Sequence, residues 1–205
     1  GQFIELTVFG YGEFPTSVSS SPVPKKDHFE VTIKKIGDAT NALHRLNIGS
    51  TVGVRGPFGN GFPLGALKKK NVVIIGGGVG LAPLRSLIYY LLANREKYGE
   101  LKLLYGARTP DDLLFKDEMV DWDMEICLTV DRAGGEWTGN VCLVPMLLDR
   151  TEIEPENTVA VICGPPIMIK VTADELLKMD FPGNRIIVSL ERLMKCGMGM
   201  CGHCN

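Results

Sequence analysis

The sequence lacks any apolar run approaching the roughly 20 residues needed to cross a bilayer, and no basic stretch leading into an apolar leader opens it. Neither a membrane span nor a secretory signal is expected. Charge of one sign is also missing: 22 basic residues stand against 24 acidic ones, a formal net charge of -2. A chain with no basic excess has no electrostatic commitment to a polyanion, so nucleic acid is excluded as an expected partner. There is no internal repeat and no low-complexity segment. With 205 residues, 45% of them apolar, the chain can bury one large core or two modest ones.

The cysteines do not form the evenly spread framework of a disulfide-stapled secreted domain. Cys127, Cys142 and Cys163 sit at scattered apolar positions, whereas Cys196, Cys201 and Cys204 crowd the last ten residues. Local crowding favours a metal over disulfides, and a reducing, cytoplasmic compartment is expected. Gly1 stands where a Met would start a chain, and the sequence stops one residue after Cys204, inside what reads as an unfinished ligand set. Both ends are expected to be trimmed.

What is present falls into two styles. Residues 2–8 and 29–36 alternate apolar and polar side chains, as half-buried antiparallel strands do. A turn-rich Ser/Pro stretch separates them. A third strand is expected over 51–55, bracketed by Gly49 and by Gly56-Pro57, before a loop holding Gly59, Gly61 and Pro63. The pattern changes at Lys68-Lys69-Lys70. Residues 71–75 form a continuous apolar strand of the kind buried on both faces, followed by glycines at 76, 77, 78 and 80. Leu84, Leu87, Ile88, Leu91 and Leu92 then share one helical face, with Pro83 in the first turn. The alternation repeats with strands over 101–105, 125–130, 158–163 and 185–190, a short helical piece around 113–120 and a helix over 167–179. Strands alternating with helices predict a mostly parallel, doubly wound sheet.

Three motifs carry chemistry. Gly76, Gly77, Gly78 and Gly80, followed by Leu81, lie between a buried strand and a helix start, where bare amides and the helix dipole can hold a phosphate. Glycine also serves tight turns without any ligand, and the spacing lacks the third glycine of G-x-G-x-x-G. Cys163-Gly164-Pro165-Pro166 ends another buried strand, so the two loops are expected to meet at the carboxyl edge of the sheet; a stiff turn with Cys163 as a small core hydrophobe is the plainer reading. Finally, Cys196, Cys201 and Cys204 have C-x4-C-x2-C spacing with glycines at alternate steps, which suits a loop wrapped around an iron-sulfur core. Zinc held by the three cysteines and His203 is the rival. In the β-rich part, Pro15, Thr16, Ser17, Val18 and Ser19 open a hydroxyl-rich stretch that a solvated loop would also explain, and Thr40, three residues after Gly37, is expected to be a helix N-cap.

In this order the motifs resemble the ferredoxin-NADP reductase superfamily, in particular the gamma subunits of soluble hydrogenases and sulfhydrogenases. The anaerobic sulfite reductase B subunit and the dihydroorotate dehydrogenase electron-transfer subunit are related. The resemblance rests on 15–22, 37–40, 55–63, 76–85, 163–168 and 190–204, essentially the whole chain. It implies an antiparallel β-barrel FAD domain over 1–67, its N-terminal strand missing, an α/β NAD(P) domain over 68–190, and the start of a 2Fe-2S segment over 191–205. It implies that Pro15, Thr16, Ser17, Val18 and Ser19 lie along the flavin, with Ser17 near N5. Gly37 and Thr40 approach the FAD pyrophosphate. Gly76, Gly77, Gly78, Gly80 and Leu81 carry the nicotinamide cofactor's diphosphate, and Cys163, Gly164 and Pro165 lie beside the nicotinamide. Where plant-type members show Arg-x-Tyr-Ser, this chain has Phe14-Pro15-Thr16-Ser17.

The implied function is relay: NAD(P)H gives a hydride to FAD, and electrons pass singly to a 2Fe-2S cluster whose fourth ligand is absent here. Ser17 and Cys163 are the residues expected closest to that chemistry, and no side chain is assigned to proton transfer. Because nothing in the chain resembles a terminal catalytic centre, a hydrogenase-like or other redox partner subunit is expected. Arg108 after the strand over 101–105 can pair with a 2′-phosphate, which the neighbouring Asp111 and Asp112 oppose, so NADH and NADPH stay open. A reading of another class, a zinc- or nucleotide-binding regulatory subunit with a structural cysteine loop, is carried beside it.

Overall fold

A computed structural model describes residues 1–204. Its first part is a three-stranded antiparallel sheet in the order β2-β1-β3, from Phe3–Val8 (β1), Gly12–Ser17 (β2) and Gly53–Phe58 (β3). The alternation along β1 sends Ile4, Leu6 and Val8 into a core shared with Ala42 of helix α1 (Asp38–Leu43), leaving Glu5 and Thr7 on the opposite face.

Three sequence expectations change here, the first being the strand over 51–55, which runs instead over Gly53–Phe58 and through Gly56-Pro57. The strand over 29–36 is reduced to a single bridge, Val18 to Val31. Its periodicity does hold, since Val31 and Ile33 pack on the core. The ladder fails because the amides of Ser19 and Ser20 converge on one acceptor, the Glu30 carbonyl, at 2.9 and 3.3 Å. Thr40 is not the N-cap: Gly37 is, and the Thr40 hydroxyl reaches back to accept the amides of Ile36 and Gly37, both at 2.9 Å. The hydroxyl stands inside the first turn, so it closes the turn backward.

The second part is a six-stranded, all-parallel sheet in the order β7-β6-β5-β4-β8-β9. Its strands are Asn71–Gly77 (β4), Leu101–Ala107 (β5), Glu125–Val130 (β6), Asn140–Val141 (β7), Thr158–Cys163 (β8) and Ile186–Ser189 (β9). Both faces of β4 are covered, which is why it reads as an unbroken apolar run. Val72 and Ile74 pack with Leu84, Leu87, Ile88 and Leu91 of α3 (Leu81–Ala93), whereas Val73 and Ile75 pack with Leu147 and with Ile169 and Leu176 of α5 (Pro166–Lys178). Burying each such side chain stabilises the fold by roughly 1.5–3 kcal/mol. Two short helices, Leu64–Leu67 (α2) and Lys116–Met119 (α4), complete the set. The latter is all that forms of the helical piece expected around 113–120.

The strand order places a switch point beside β4. The chain leaves β4 outward through β5, β6 and β7, then returns to β8 on the other side. Connections from β4 and β8 therefore depart toward opposite faces and open a crevice at their carboxyl ends.

Candidate functional site

The crevice is walled by the two glycine-containing loops, and they touch. After β4, Gly78–Gly80 makes one 3-10 turn into α3. Gly80 adjoins Cys163 closely enough that a Cβ on it would collide with the Cys163 backbone, and a Cβ on Gly164 would lie 3.1 Å from the Gly77 amide nitrogen. Gly78 differs: its φ is +54°, a left-handed conformation, and nothing stands within 4 Å of where a Cβ would go. This is a cradle in which bare backbone is open to a ligand, at the entrance of a 13-residue helix.

Tyr105, fully buried on β5, holds the loop from below. Its hydroxyl donates to the Gly78 carbonyl and accepts the Leu114 amide, both at 3.1 Å, and burial pushes the phenol up to about 12. From the sequence alone Tyr105 reads only as a strand residue. A tyrosine within a fully buried strand needs a partner for its hydroxyl, and that was the available signal. Cys163, 4% exposed at the end of β8, has its thiol pushed up to about 11 by burial, against a hydrogen bond with Ser189. It is therefore a neutral, compact wall.

On the antiparallel side, Pro15, Thr16, Ser17 and Val18 are half-buried, with Pro15 opposite Glu5, Thr16 opposite Ile4 and Ser17 opposite Phe3. Ser19 is fully buried, its hydroxyl engaged with Thr32 at 2.9 Å and with the Glu30 carbonyl at 3.3 Å. Gly37 is exposed with open space about it.

The two parts are joined by Arg85, which sequence reasoning did not single out. Its Nε and one terminal nitrogen donate to both oxygens of Glu118, at 2.6 and 2.9 Å, and the other terminal nitrogen reaches Glu30 at 2.6 Å and the Ser19 carbonyl at 3.0 Å. The guanidinium lies 4.8 Å from the Phe115 ring centroid and 5.2 Å from that of Tyr89. Phe115 holds its ring there from a left-handed backbone, φ +57°, that costs a non-glycine residue about 1–2 kcal/mol. Burial opposes the Arg85 charge, and the carboxylates of Glu118 and Glu30 outweigh it, so its pKa rises further.

Along the whole chain, the gamma subunit of sulfhydrogenase 1 from Pyrococcus furiosus is 42% identical over 212 residues, covering 100% of this chain and 72% of that protein. The chain belongs to the ferredoxin-NADP reductase superfamily. The oxidoreductase NAD-binding domain family matches residues 74–174, the span from β4 into α5. The probable electron-transfer subunit of dihydroorotate dehydrogenase B from Pyrococcus furiosus is 35% identical, with 100% and 72% covered. Among solved structures, an NADH-dependent reduced ferredoxin-NADP oxidoreductase is similar at TM-score 0.76 and 29% identity, covering 100% of this chain and 70% of that one. A ferredoxin NADP+ reductase from Neisseria gonorrhoeae, at TM-score 0.72 and 24% identity over 92% of this chain and 84% of that one, shares the fold. The superfamily's antiparallel part followed by a parallel α/β part is the architecture found here.

Two further features lie outside the contact between the two loops. Beyond the ends of β5 and β6 is a cleft of about 480 Å³ lined in part by Thr109, Pro110, Asp111, Glu136 and Trp137, with Arg108 exposed beside it. The cysteine loop packs on β3: Arg55 donates to the carbonyls of Lys195 and Cys196, at 3.1 and 3.4 Å, while its Nε binds Glu13 at 3.0 Å. Gly197, Gly199 and Gly202 all have positive φ, and a Cβ on Gly197 would strike the Phe58 ring. The Cys196 thiol is drawn down to about 6 by the amides of Cys201 and Met198 and by the Cys201 thiol. Cys196 and Cys201 are thus together. Among the described residues, however, no three His, Cys, Asp or Glu side chains converge as a metal-holding group, so neither the expected iron-sulfur triad nor the zinc set with His203 is assembled. Among the same residues no helix is long and apolar enough to cross a membrane.

Proposed function

We propose that the chain is an electron-transfer flavoprotein subunit, an NAD(P)H-dependent flavin oxidoreductase working within a larger redox assembly. The observation that carries this reading is the contact between the two loops at the switch point, with an open left-handed glycine at its centre. Amides of Gly76, Gly77, Gly78 and Gly80, with Leu81 opening α3, bind the nicotinamide cofactor's diphosphate. Cys163, Gly164 and Pro165 form the wall beside the nicotinamide, and the neutral Cys163 thiol excludes water there without supplying a nucleophile. Pro15, Thr16, Ser17 and Val18 offer a half-buried strand for a flavin ring, Ser17 donating or accepting at N5. Because the Ser19 hydroxyl is committed to Thr32, Ser19 serves that strand as a spacer. Gly37, open on its outer side and capped from within by Thr40, admits the FAD pyrophosphate. Bound FAD supplies the conversion of a hydride into single electrons.

The donor chemistry at Cys196, Cys201 and Cys204 fits a 2Fe-2S cluster: thiols on a loop of left-handed glycines, with amides turned to sulfur. A fourth thiolate completes the set, and the acceptor is a partner subunit of the kind that sulfhydrogenase or dihydroorotate dehydrogenase supplies. Domain limits of 1–67, 68–190 and 191–205 follow this division of labour.

The cleft at Trp137 suits an adenosine end, with Arg108 as its exposed cation. Two lining carboxylates, Asp111 and Glu136, disfavour a second phosphate, which supports NADH over NADPH.

Anaerobic titration of the FAD-loaded protein tests the reading. NADH is expected to bleach the flavin, and to do so at lower concentration than NADPH. No bleaching with either would end the flavin oxidoreductase reading, and a colourless, zinc-loaded protein would favour a regulatory subunit.

A further inference from the structure

Arg85 bonds to both parts of the protein at once. It projects from the first turns of α3, four residues after Leu81, and its side chain is only 11% exposed although it carries a full charge. Four hydrogen bonds run from one guanidinium to three residues. One of them, Glu118, belongs to the parallel part; the others, Glu30 and the Ser19 carbonyl, belong to the antiparallel part. Glu118 is itself fixed by the Tyr89 hydroxyl at 2.9 Å. Ser19 follows the strand that carries Ser17 by two residues, and Glu30 receives the Ser19 and Ser20 amides on its carbonyl.

The geometry has a direction. On one side the guanidinium is locked by a bidentate carboxylate and two aromatic rings, which leaves it little freedom of its own. On the other it grips Ser19 and Glu30, the residues that directly follow and precede the two members of the Val18–Val31 bridge, which continues the flavin-side strand beyond Ser17. A rigid fork is thus held by the nucleotide-loop helix and presented to the hydroxyl-rich segment.

We infer that Arg85 is a positioning residue that sets the relation between the glycine loop and the Ser17 segment, and hence the approach of the nicotinamide to the flavin. The inference rests on the functional reading above. Two bonds on each side suffice for a clamp whose loss shifts one wall of the crevice against the other, and misplacement of about 1 Å lowers a transfer rate by about a hundredfold.

Glu30→Gln is the discriminating variant, because it weakens the grip on the antiparallel side while leaving the Arg85–Glu118 fork intact. Arg85→Gln removes both, and Arg85→Lys keeps the charge without the fork. In the full-length protein without nucleotide, hydrogen exchange at residues 18–20 and 30–32 is expected to rise in Glu30→Gln and Arg85→Gln, with α3 remaining protected in Glu30→Gln. With FAD bound and NADH saturating, flavin reduction is expected to slow by about tenfold or more in both. The deuterium isotope effect from 4-deuterated NADH is expected to grow, with NADH affinity little changed and Arg85→Lys recovering only part of the rate. A merely structural role would lower thermal stability and leave the isotope effect alone. Wild-type exchange in Glu30→Gln, or wild-type reduction rate and isotope effect in Arg85→Gln, would overturn the inference. Failure of the wild type to be reduced would count against the functional reading instead, and the exchange measurement still decides the clamp.

Discussion

Gly80 and Cys163 meet backbone to backbone: a Cβ on Gly80 would stand 2.5 Å from the Cys163 carbonyl oxygen. The obstacle is main chain on both sides, so no side chain can rotate away to relieve it. Gly80→Ala is expected to cost about 2–3 kcal/mol of stability, as overpacking does, and to weaken NADH binding by separating the loops. Gly78→Ala meets open space and only the strain of its left-handed backbone, about 1 kcal/mol. Denaturant unfolding of the two variants checks the order, and a Gly80→Ala protein more stable than Gly78→Ala contradicts it.

Alkaline stability follows from Cys163 and Tyr105. Burial lifts the thiol from 9.0 to about 11 and the phenol from 10.0 to about 12. An acid with a raised folded pKa binds protons that the unfolded chain has released, so stability is full below the unfolded pKa and falls as pH rises toward the folded one. The protein is expected to lose stability from pH 9 upward. Cys163→Ala should remove roughly 2 kcal/mol of that loss between pH 9 and pH 11. Thermal midpoints across that range measure it; parallel curves for wild type and variant would disprove the assignment.

Glu5 is 1% exposed, and its Oε1 has no hydrogen-bond partner among the described residues. Burial first, and then the Glu13 charge, raise its pKa against the opposing pull of Arg55. A carboxyl raised in this way costs stability as pH climbs through its folded pKa. Replacing it with Met is expected to stabilise the fold by about 1 kcal/mol at neutral pH, with the gain vanishing in acid where both states hold the proton. A destabilised Glu5→Met protein at pH 7 would mean that the carboxyl is satisfied after all.

Cysteine reactivity separates the six thiols. In metal-free protein, Cys196 is expected to alkylate with half-maximal rate at about pH 6, because amides of Cys201 and Met198 favour its thiolate. Cys127, raised by burial, should require more alkaline solution than a free cysteine. Peptide mapping after timed iodoacetamide exposure reads both. An ordinary midpoint for Cys196 would show that those amides are not aimed at its sulfur.

Much of the parallel part was legible because burial on both faces writes itself as apolar runs: 125–130 and 158–163 are strands at those limits. The antiparallel part was less so. β2 contains Pro15 and two hydroxyl residues and reads as a loop until Phe3, Ile4 and Glu5 are seen opposite it. Residues 29–36 alternate correctly yet lack a ladder, since periodicity reports which face is buried and not which backbone pairs. At the site, the meeting of the two loops followed from strand order. The Arg85 clamp did not, because its partners lie 33, 55 and 66 residues away and no local pattern encodes them.

Arg55 holds the cysteine loop by hydrogen bonds to the main-chain oxygens of residues 195 and 196 and makes none to their side chains. The anchor is therefore indifferent to what the loop displays. Leu193, Met198 and Met200, at 81%, 61% and 82% exposure, can be exchanged for other chemistries while the thiols keep their place. A loop mounted in this way can change the surface it presents by substitution at these positions alone, with its anchorage inherited unchanged.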